Sequence, residues 1–179
     1  MKLIILDRDG VINEDSDNYI KSPEEFIPIP GSIDAIARLH RAGYRIAVAT
    51  NQSGIARGYF DIEMLNRMHE KLLRLLQAQG GQIDGIFYCP HGPEDNCACR
   101  KPKPGLLQEI HKRFNVNMSR VYAVGDSLRD LQAAQAIGAR PILVQTGKGE
   151  RTIKQGDGLG GIPIYKDLAT FVDELLAQE

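Results

Sequence analysis

The chain opens with an apolar run, Leu3-Ile4-Ile5-Leu6, that ends on Asp7 and is followed by Asp9 and Gly10. A short continuous run of this kind predicts a strand buried on both faces of a parallel sheet. Similar runs recur at 45–49, 83–88, 121–124 and 141–144, with 162–165 as a candidate edge strand. Between them the apolar spacing changes to threes and fours. One helix is predicted from Gly31 to Gly43, capped by Ser32, with Ile33, Ile36, Ala37 and His40 on one face. The strongest pattern runs from Asp61, as N-cap, to about Gln79, with Leu65, Met68, Leu72 and Leu75/Leu76 as its buried stripe. A further helix opens at Pro104 or Gly105 and carries Leu106, Leu107, Ile110 and Phe114. Another follows GDSLRD to about Ile137, and a last one carries Leu168, Phe171, Val172, Leu175 and Leu176. His40, His69 and His111 each stand alone on a helix and read as surface residues, not ligands.

Strands alternating with helices imply an α/β fold with a parallel sheet, right-handed crossovers and helices on both faces. Residues 14–30 read as an ordered loop beside the end of the first strand. Residues 145–161 contain six glycines and read as a mobile loop. Within it, TGKGE lacks the strand-before, helix-after context of a phosphate loop and stays unassigned. At 179 residues one domain is expected, covering 1–179, with no internal repeat or linker.

A net charge of −1 offers no electrostatic case for nucleic acid or an anionic membrane as partner. No apolar stretch reaches transmembrane length, and the opening run breaks too early for the core of a signal peptide. A cytoplasmic monomer is expected. All three cysteines, Cys89, Cys97 and Cys99, fall in one short window, which in a reducing compartment points to metal and not disulfides. With His91 they offer a complete tetrahedral shell for structural Zn²⁺.

Asp7, Thr50, the Arg100-Lys101 pair and Asp126 each follow the C-terminal end of a predicted strand. In an open parallel sheet those ends share one edge, where ligands bind. Asp7 and Asp9, two residues apart, would lie on one side of an extended chain and repel unless a cation or shared proton neutralises them. Carboxylate oxygens suit Mg²⁺, and a lysine with a hydroxyl suits a phosphoryl group. The set points to phosphoryl transfer with a carboxylate nucleophile. Ser53 competes for that role, but no histidine is predicted near it to act as base.

DRDG after an apolar strand, a strand ending in Thr50, KPKP with Lys101, and GDSLRD resemble the four motifs of the haloacid dehalogenase superfamily. The resemblance implies a Rossmann-like three-layer fold and an aspartyl-phosphate mechanism. Asp7 would be the nucleophile and Asp9 the acid and base, with Thr50 and Lys101 holding phosphoryl oxygens. Mg²⁺ would sit on Asp7, Asp126 and the main-chain carbonyl of Asp9. Asp130 would support the metal or Lys101, or serve only as a first-turn acid favoured by the helix dipole.

DRDGVIN, TNQSGIARG, the CxH…CxC loop and CRKPKPG are similar to a narrower group, the D,D-heptose 1,7-bisphosphate phosphatases. That likeness implies removal of the 7-phosphate of a heptose bisphosphate on the way to activated heptose for lipopolysaccharide or surface glycans. Asp15, Ser16, Asp17 and Asn18, with Thr50, Asn51, Gln52 and Ser53, would contact substrate, and Arg100 would recognise the distal phosphate or sugar. Only 42 residues separate Asp7 from Thr50, so no large cap domain is expected. Ser127 stands where better-known members often carry lysine. Two alternatives stay open: a histidinol-phosphate phosphatase, and a zinc-stabilised binding module with vestigial phosphatase motifs.

Overall fold

A computed structural model describes residues 1–179. Its centre is a parallel sheet of β1 (Lys2–Leu6), β2 (Tyr44–Asn51), β3 (Gly85–Cys89), β4 (Tyr122–Gly125), β5 (Arg140–Val144) and β6 (Ile164–Tyr165). The strands lie in the order β3-β2-β1-β4-β5-β6, every neighbouring pair parallel. Six α-helices accompany them: α1 (Ser32–Arg41), α2 (Ile62–Ala78), α3 (Gly105–Phe114), α4 (Leu128–Ala136), α5 (Gly149–Gln155) and α6 (Leu168–Ala177). The chain builds outward from β1 in one direction, then returns to its other side with β4. That reversal opens a crevice above the ends of β1 and β4.

Period-two alternation along the buried strands sorts the core into two layers. Ile4 and Leu6 of β1, with Ile46 and Val48 of β2, pack on the side of α1, α2 and α6. Leu3 and Ile5, with Ala47 and Ala49, pack on the side of α3 and α4. The expected stripe of α2 holds: Leu65, Met68, Leu72 and Leu76 are fully buried. Burial of each stabilises by roughly 1.5–3 kcal/mol relative to exposure. Asp61 caps that helix as expected, its carboxylate accepting from the Met64 N–H at 2.9 Å.

Three expectations are corrected. Ser32 starts α1 but does not cap it. Gly31 holds the N-cap position with φ 89°, while Ser32 Oγ donates to the Val11 carbonyl at 2.8 Å and ties α1 to the turn after β1. Residues 145–161 are not simply a loop: they contain α5, which stops at Gly156 in the left-handed conformation. TGKGE therefore does have a strand before it and a helix after it. Its glycines hid the helix, and a tertiary bond from Thr152 Oγ1 to the Asp126 carbonyl, 2.8 Å, anchors it. His69 is buried, not a surface residue; the patterned face of α2 is wide enough to include it.

Candidate active site

Asp7 follows the last residue of β1, its backbone N–H donating to the Val124 carbonyl at 3.0 Å. Beyond it the chain turns, with the Arg8 carbonyl accepting from Val11, Ile12 and Asn13. Extended-strand alternation therefore does not reach Asp9. Both carboxylates still line one cavity of about 400 Å³ at the C-terminal edge of the sheet, but with different partners. Asp7 Oδ1 accepts from Lys101 Nζ at 3.2 Å. Asp9 accepts from Arg8, Asn13 and Gln52. Burial pushes the Asp7 carboxyl up to about 7, with Asp130 adding repulsion and Lys101 opposing it. Burial also pushes Asp9 upward, but the Arg8 guanidinium and the Asn13 and Gln52 amides outweigh it and hold Asp9 below the usual carboxylate range.

Lys101 is almost fully buried. Its ammonium donates to the Ala49 carbonyl at 2.7 Å and pairs with Asp130 Oδ1 at 2.7 Å. Burial disfavours its charge, yet Asp130 and Asp7 more than compensate and raise its pKa. Asn51 fixes the Lys101 main chain in both directions, accepting from its N–H at 3.0 Å and donating to its carbonyl at 3.1 Å. Thr50 is buried at the end of β2, where its hydroxyl accepts from Gln52 Nε2 at 2.9 Å.

Asp126 follows β4 and is wrapped by backbone. The Lys148 N–H donates to its Oδ2 at 2.8 Å, and Thr146 Oγ1 donates to the Gly10 carbonyl at 2.7 Å. Gly10 and Gly147 both have positive φ, and a Cβ on either would overlap the Asp126 carboxylate. Glycine is required at both for conformation and for space. TGKGE thus clamps Asp126. Asp130, one turn into α4, gives Oδ1 to Lys101, while Oδ2 accepts from the backbone of Asp126 and Ser127 and from Ser127 Oγ.

Asp7, Asp126 and Asp130 bring carboxylate oxygens within 4.8 Å of one another. Asp130 has its oxygens committed, which leaves Asp7 and Asp126 as donors. Burial first, and repulsion from Asp130 second, drives the pKa of both upward. Two crowded, buried oxygen donors with one lysine among three acids fit a hard divalent cation such as Mg²⁺. Cys89, His91, Cys97 and Cys99 form a second cluster. Its separations are 3.6 Å for Cys89 Sγ to His91 Nδ1, 3.6 Å for Cys89 to Cys97, 3.4 Å for Cys99 to His91 and 3.7 Å for Cys99 to Cys97. A tetrahedron with zinc–sulfur and zinc–nitrogen bonds of ordinary length has edges of about 3.5–3.8 Å. The donor set and spacing fit Zn²⁺.

Of the other expected contacts, Asp15, Asp17, Asn51, Gln52, Ser53 and Arg100 line the cavity, while Ser16 and Asn18 do not. Asp15 pairs with Lys148 Nζ at 3.1 Å and Asp17 with Arg151 at 3.4 Å, joining the 14–30 loop to α5 across the cavity mouth. Sequence reasoning missed Tyr19, Arg57, Arg129, Lys148 and Arg151, which also line it. Arg57 and Arg129 lie inside the quoted segments TNQSGIARG and GDSLRD, so nearness to Thr50 and Asp126 was the available signal. Arg8, between the two leading acids, was missed as well.

A family model described as haloacid dehalogenase-like hydrolase matches residues 11–138. The chain is 55% identical over 178 residues to a D-glycero-beta-D-manno-heptose-1,7-bisphosphate 7-phosphatase of Bordetella bronchiseptica, covering 99% of each. It is 56% identical over 180 residues to the protein of the same name from Pseudomonas putida, covering 98% of this chain and 100% of that one. A crystal structure of D,D-heptose 1.7-bisphosphate phosphatase from B. bronchiseptica complexed with magnesium and phosphate is similar over 100% of both chains, with a TM-score of 0.98 at 55% identity. Similarity along the whole length, on a fold that gathers Asp7, Thr50, Lys101 and Asp126 at one crevice, establishes that this chain belongs to the haloacid dehalogenase-like hydrolases.

Proposed function

We propose that this chain is a Mg²⁺-dependent phosphatase that removes the 7-phosphate of D-glycero-D-manno-heptose 1,7-bisphosphate, on the route to activated heptose for lipopolysaccharide core or surface glycans. The observation that carries this is that one cavity is lined both by the acids, hydroxyl and lysine of the motifs and by arginines that no carboxylate pairs. Asp7, Asp126, Thr50 and Lys101 form its floor, and Arg57, Arg100 and Arg129 also line it. None of these three arginines takes part in an ion pair. Arg100 reaches only the His91 carbonyl, at 3.3 Å, and Arg57 lies over the Tyr19 ring. A second phosphate, remote from the reacting one, would supply the missing negative charge. The names of the relatives above support both the bisphosphate and its β anomer.

In this reading an Asp7 oxygen attacks phosphorus in line, and the ester P–O bond breaks as the aspartyl O–P bond forms. The departing sugar oxygen takes a proton from Asp9. Water then attacks the aspartyl-phosphate and gives its proton back to Asp9. Asp9, held ionised in the free enzyme with Arg8 beside it, takes up a proton from solvent as the phosphoryl group enters, because the negative charge of that group raises its pKa. It releases the proton again when phosphate leaves. Thr50 and Lys101 hold the phosphoryl oxygens. Asp7, Asp126 and the Asp9 carbonyl would hold Mg²⁺, which when bound offsets the repulsion between carboxylate and phosphate. Cys89, His91, Cys97 and Cys99 would hold Zn²⁺ in a closed structural site that delivers Arg100 and Lys101 to the cavity. The single continuous sheet that carries all these groups supports one domain over 1–179, and the reading takes it to act as a cytoplasmic monomer.

The test compares phosphate release from heptose 1,7-bisphosphate and from histidinol phosphate under equal Mg²⁺. The bisphosphate should have the higher kcat/KM; preference for histidinol phosphate would overturn the substrate assignment.

A further inference from the structure

Arg8 is the largest fully buried side chain, and neither it nor His69 lines the cavity. A buried guanidinium is costly unless paired and hydrogen-bonded. Here its Nε and one terminal nitrogen converge on Asp9 Oδ1, at 3.0 and 2.8 Å. The other terminal nitrogen lies 3.2 Å from His69 Nε2, and the Phe26 ring stands 5.4 Å from the guanidinium carbon. A guanidinium only donates, so His69 Nε2 accepts and the ring is neutral with its proton on Nδ1. His69 cannot relay a proton in that state. It anchors Arg8 to α2, an element with no part in the chemistry.

The two oxygens of Asp9 are thereby made unequal. Oδ1 accepts three hydrogen bonds, two from Arg8 and one from Asn13 Nδ2 at 2.8 Å. Oδ2 accepts one, from Gln52 Nε2 at 3.2 Å, and the same amide donates to Thr50 Oγ1. Gln52 therefore sets Oδ2 beside the hydroxyl that faces the phosphoryl group, while Oδ1 has no capacity left. The geometry points to Arg8 and His69 as a buried positioning pair that holds Asp9 so that Oδ2 alone carries the proton to and from the ester oxygen. This rests on the reading of Asp9 as acid and base given above.

A proton donor matters for an alkyl leaving group and hardly at all for p-nitrophenolate, and kcat/KM reports the steps through leaving-group departure. Arg8→Lys keeps the charge but loses the fork. It should lower kcat/KM for the 7-phosphate of heptose 1,7-bisphosphate roughly 10- to 100-fold, short of the 10²–10⁴ of a full acid–base loss. With p-nitrophenyl phosphate the fall should be under about 3-fold on the same grounds. His69→Leu should show the same selective loss, and His69→Gln, which can still accept from Arg8, should restore most of it. If Arg8→Lys does not fold, the His69 pair decides alone. Equal loss on both substrates, or loss on neither, overturns the proposal. Asp9→Asn is the control: if it lacks the selective loss, the acid–base reading of Asp9 fails instead.

Discussion

Asp130 Oδ1 lies 2.7 Å from Lys101 Nζ, while its Oδ2 accepts from the Asp126 and Ser127 backbone at 3.1 Å each. One carboxylate thus neutralises the cation of the floor and orders the start of α4. Its depressed pKa follows from Lys101, which together with the hydrogen bonds outweighs the upward push of burial, the largest single influence.

Asp130→Ala should therefore destabilise the protein by up to roughly 3–5 kcal/mol, since it removes the nearer of the two carboxylates paired with the buried Lys101 ammonium and the Asp130 half of the capping box at the start of α4. Urea denaturation in excess EDTA measures this without metal. If Asp130 were instead chiefly a metal ligand, the metal-free stability would barely change and only the Mg²⁺ dependence of activity would move.

The crowding around Asp7 makes a second expectation. Its folded-state pKa is raised from 3.8 to about 7, so its contribution favours the native state at low pH and is lost as pH rises through about 7. In the metal-free protein at pH 8, Asp7→Asn should be more stable than the parent by up to roughly 4 kcal/mol. Added Mg²⁺ should raise the melting temperature of the parent more than that of the variant, and the variant should not turn over. Thermal melts with and without Mg²⁺ check the first statement, and steady-state assays the second.

His69 produces the opposite pH window from a base. Burial, and then Arg8, lower its pKa from 6.5 to about 4. The unfolded chain binds a proton between those values and the native chain does not, so stability is full above 6.5 and falls as pH drops toward 4. The loss should reach up to roughly 3 kcal/mol, and His69→Gln should remove that part of the acid sensitivity. Denaturation midpoints of parent and variant between pH 7 and pH 4 give the comparison.

The cysteine cluster predicts about one equivalent of zinc in purified protein. Cys97→Ser should reduce zinc content and lower the melting temperature while leaving Mg²⁺ affinity little changed, because the two clusters share no ligand. Elemental analysis and melts in a strong chelator check this. Zinc-free protein with unchanged melting would exclude the structural metal.

Much of the fold was legible because local rules and tertiary packing agree. The apolar run before Asp7, the stripe of α2 and its Asp61 cap are properties of neighbouring residues. The acids, hydroxyl and lysine at strand ends were also readable, since a parallel sheet brings such ends together wherever its strands begin. His69 and residues 145–161 were misread for one shared reason: their partners are distant in the chain. His69 is buried by Arg8, 61 residues away, and α5 is tied to Asp126, 26 residues before Thr152.

By itself, then, the sequence determined the α/β alternation, the acids, lysine and hydroxyl at the strand ends, and the candidate zinc shell, all consequences of short-range spacing and residue chemistry. Only the tertiary structure decided which oxygen of Asp9 is free, that Asp130 serves Lys101, and that the TGKGE backbone clamps Asp126. The Asp130–Lys101 and TGKGE–Asp126 bonds join segments that meet only through the crossovers of the sheet. At Asp9 the donors to Oδ1, Arg8 and Asn13, are near in the chain, but Gln52 on Oδ2 and His69 behind Arg8 arrive from distant segments, and no local pattern encodes which donor will meet which oxygen.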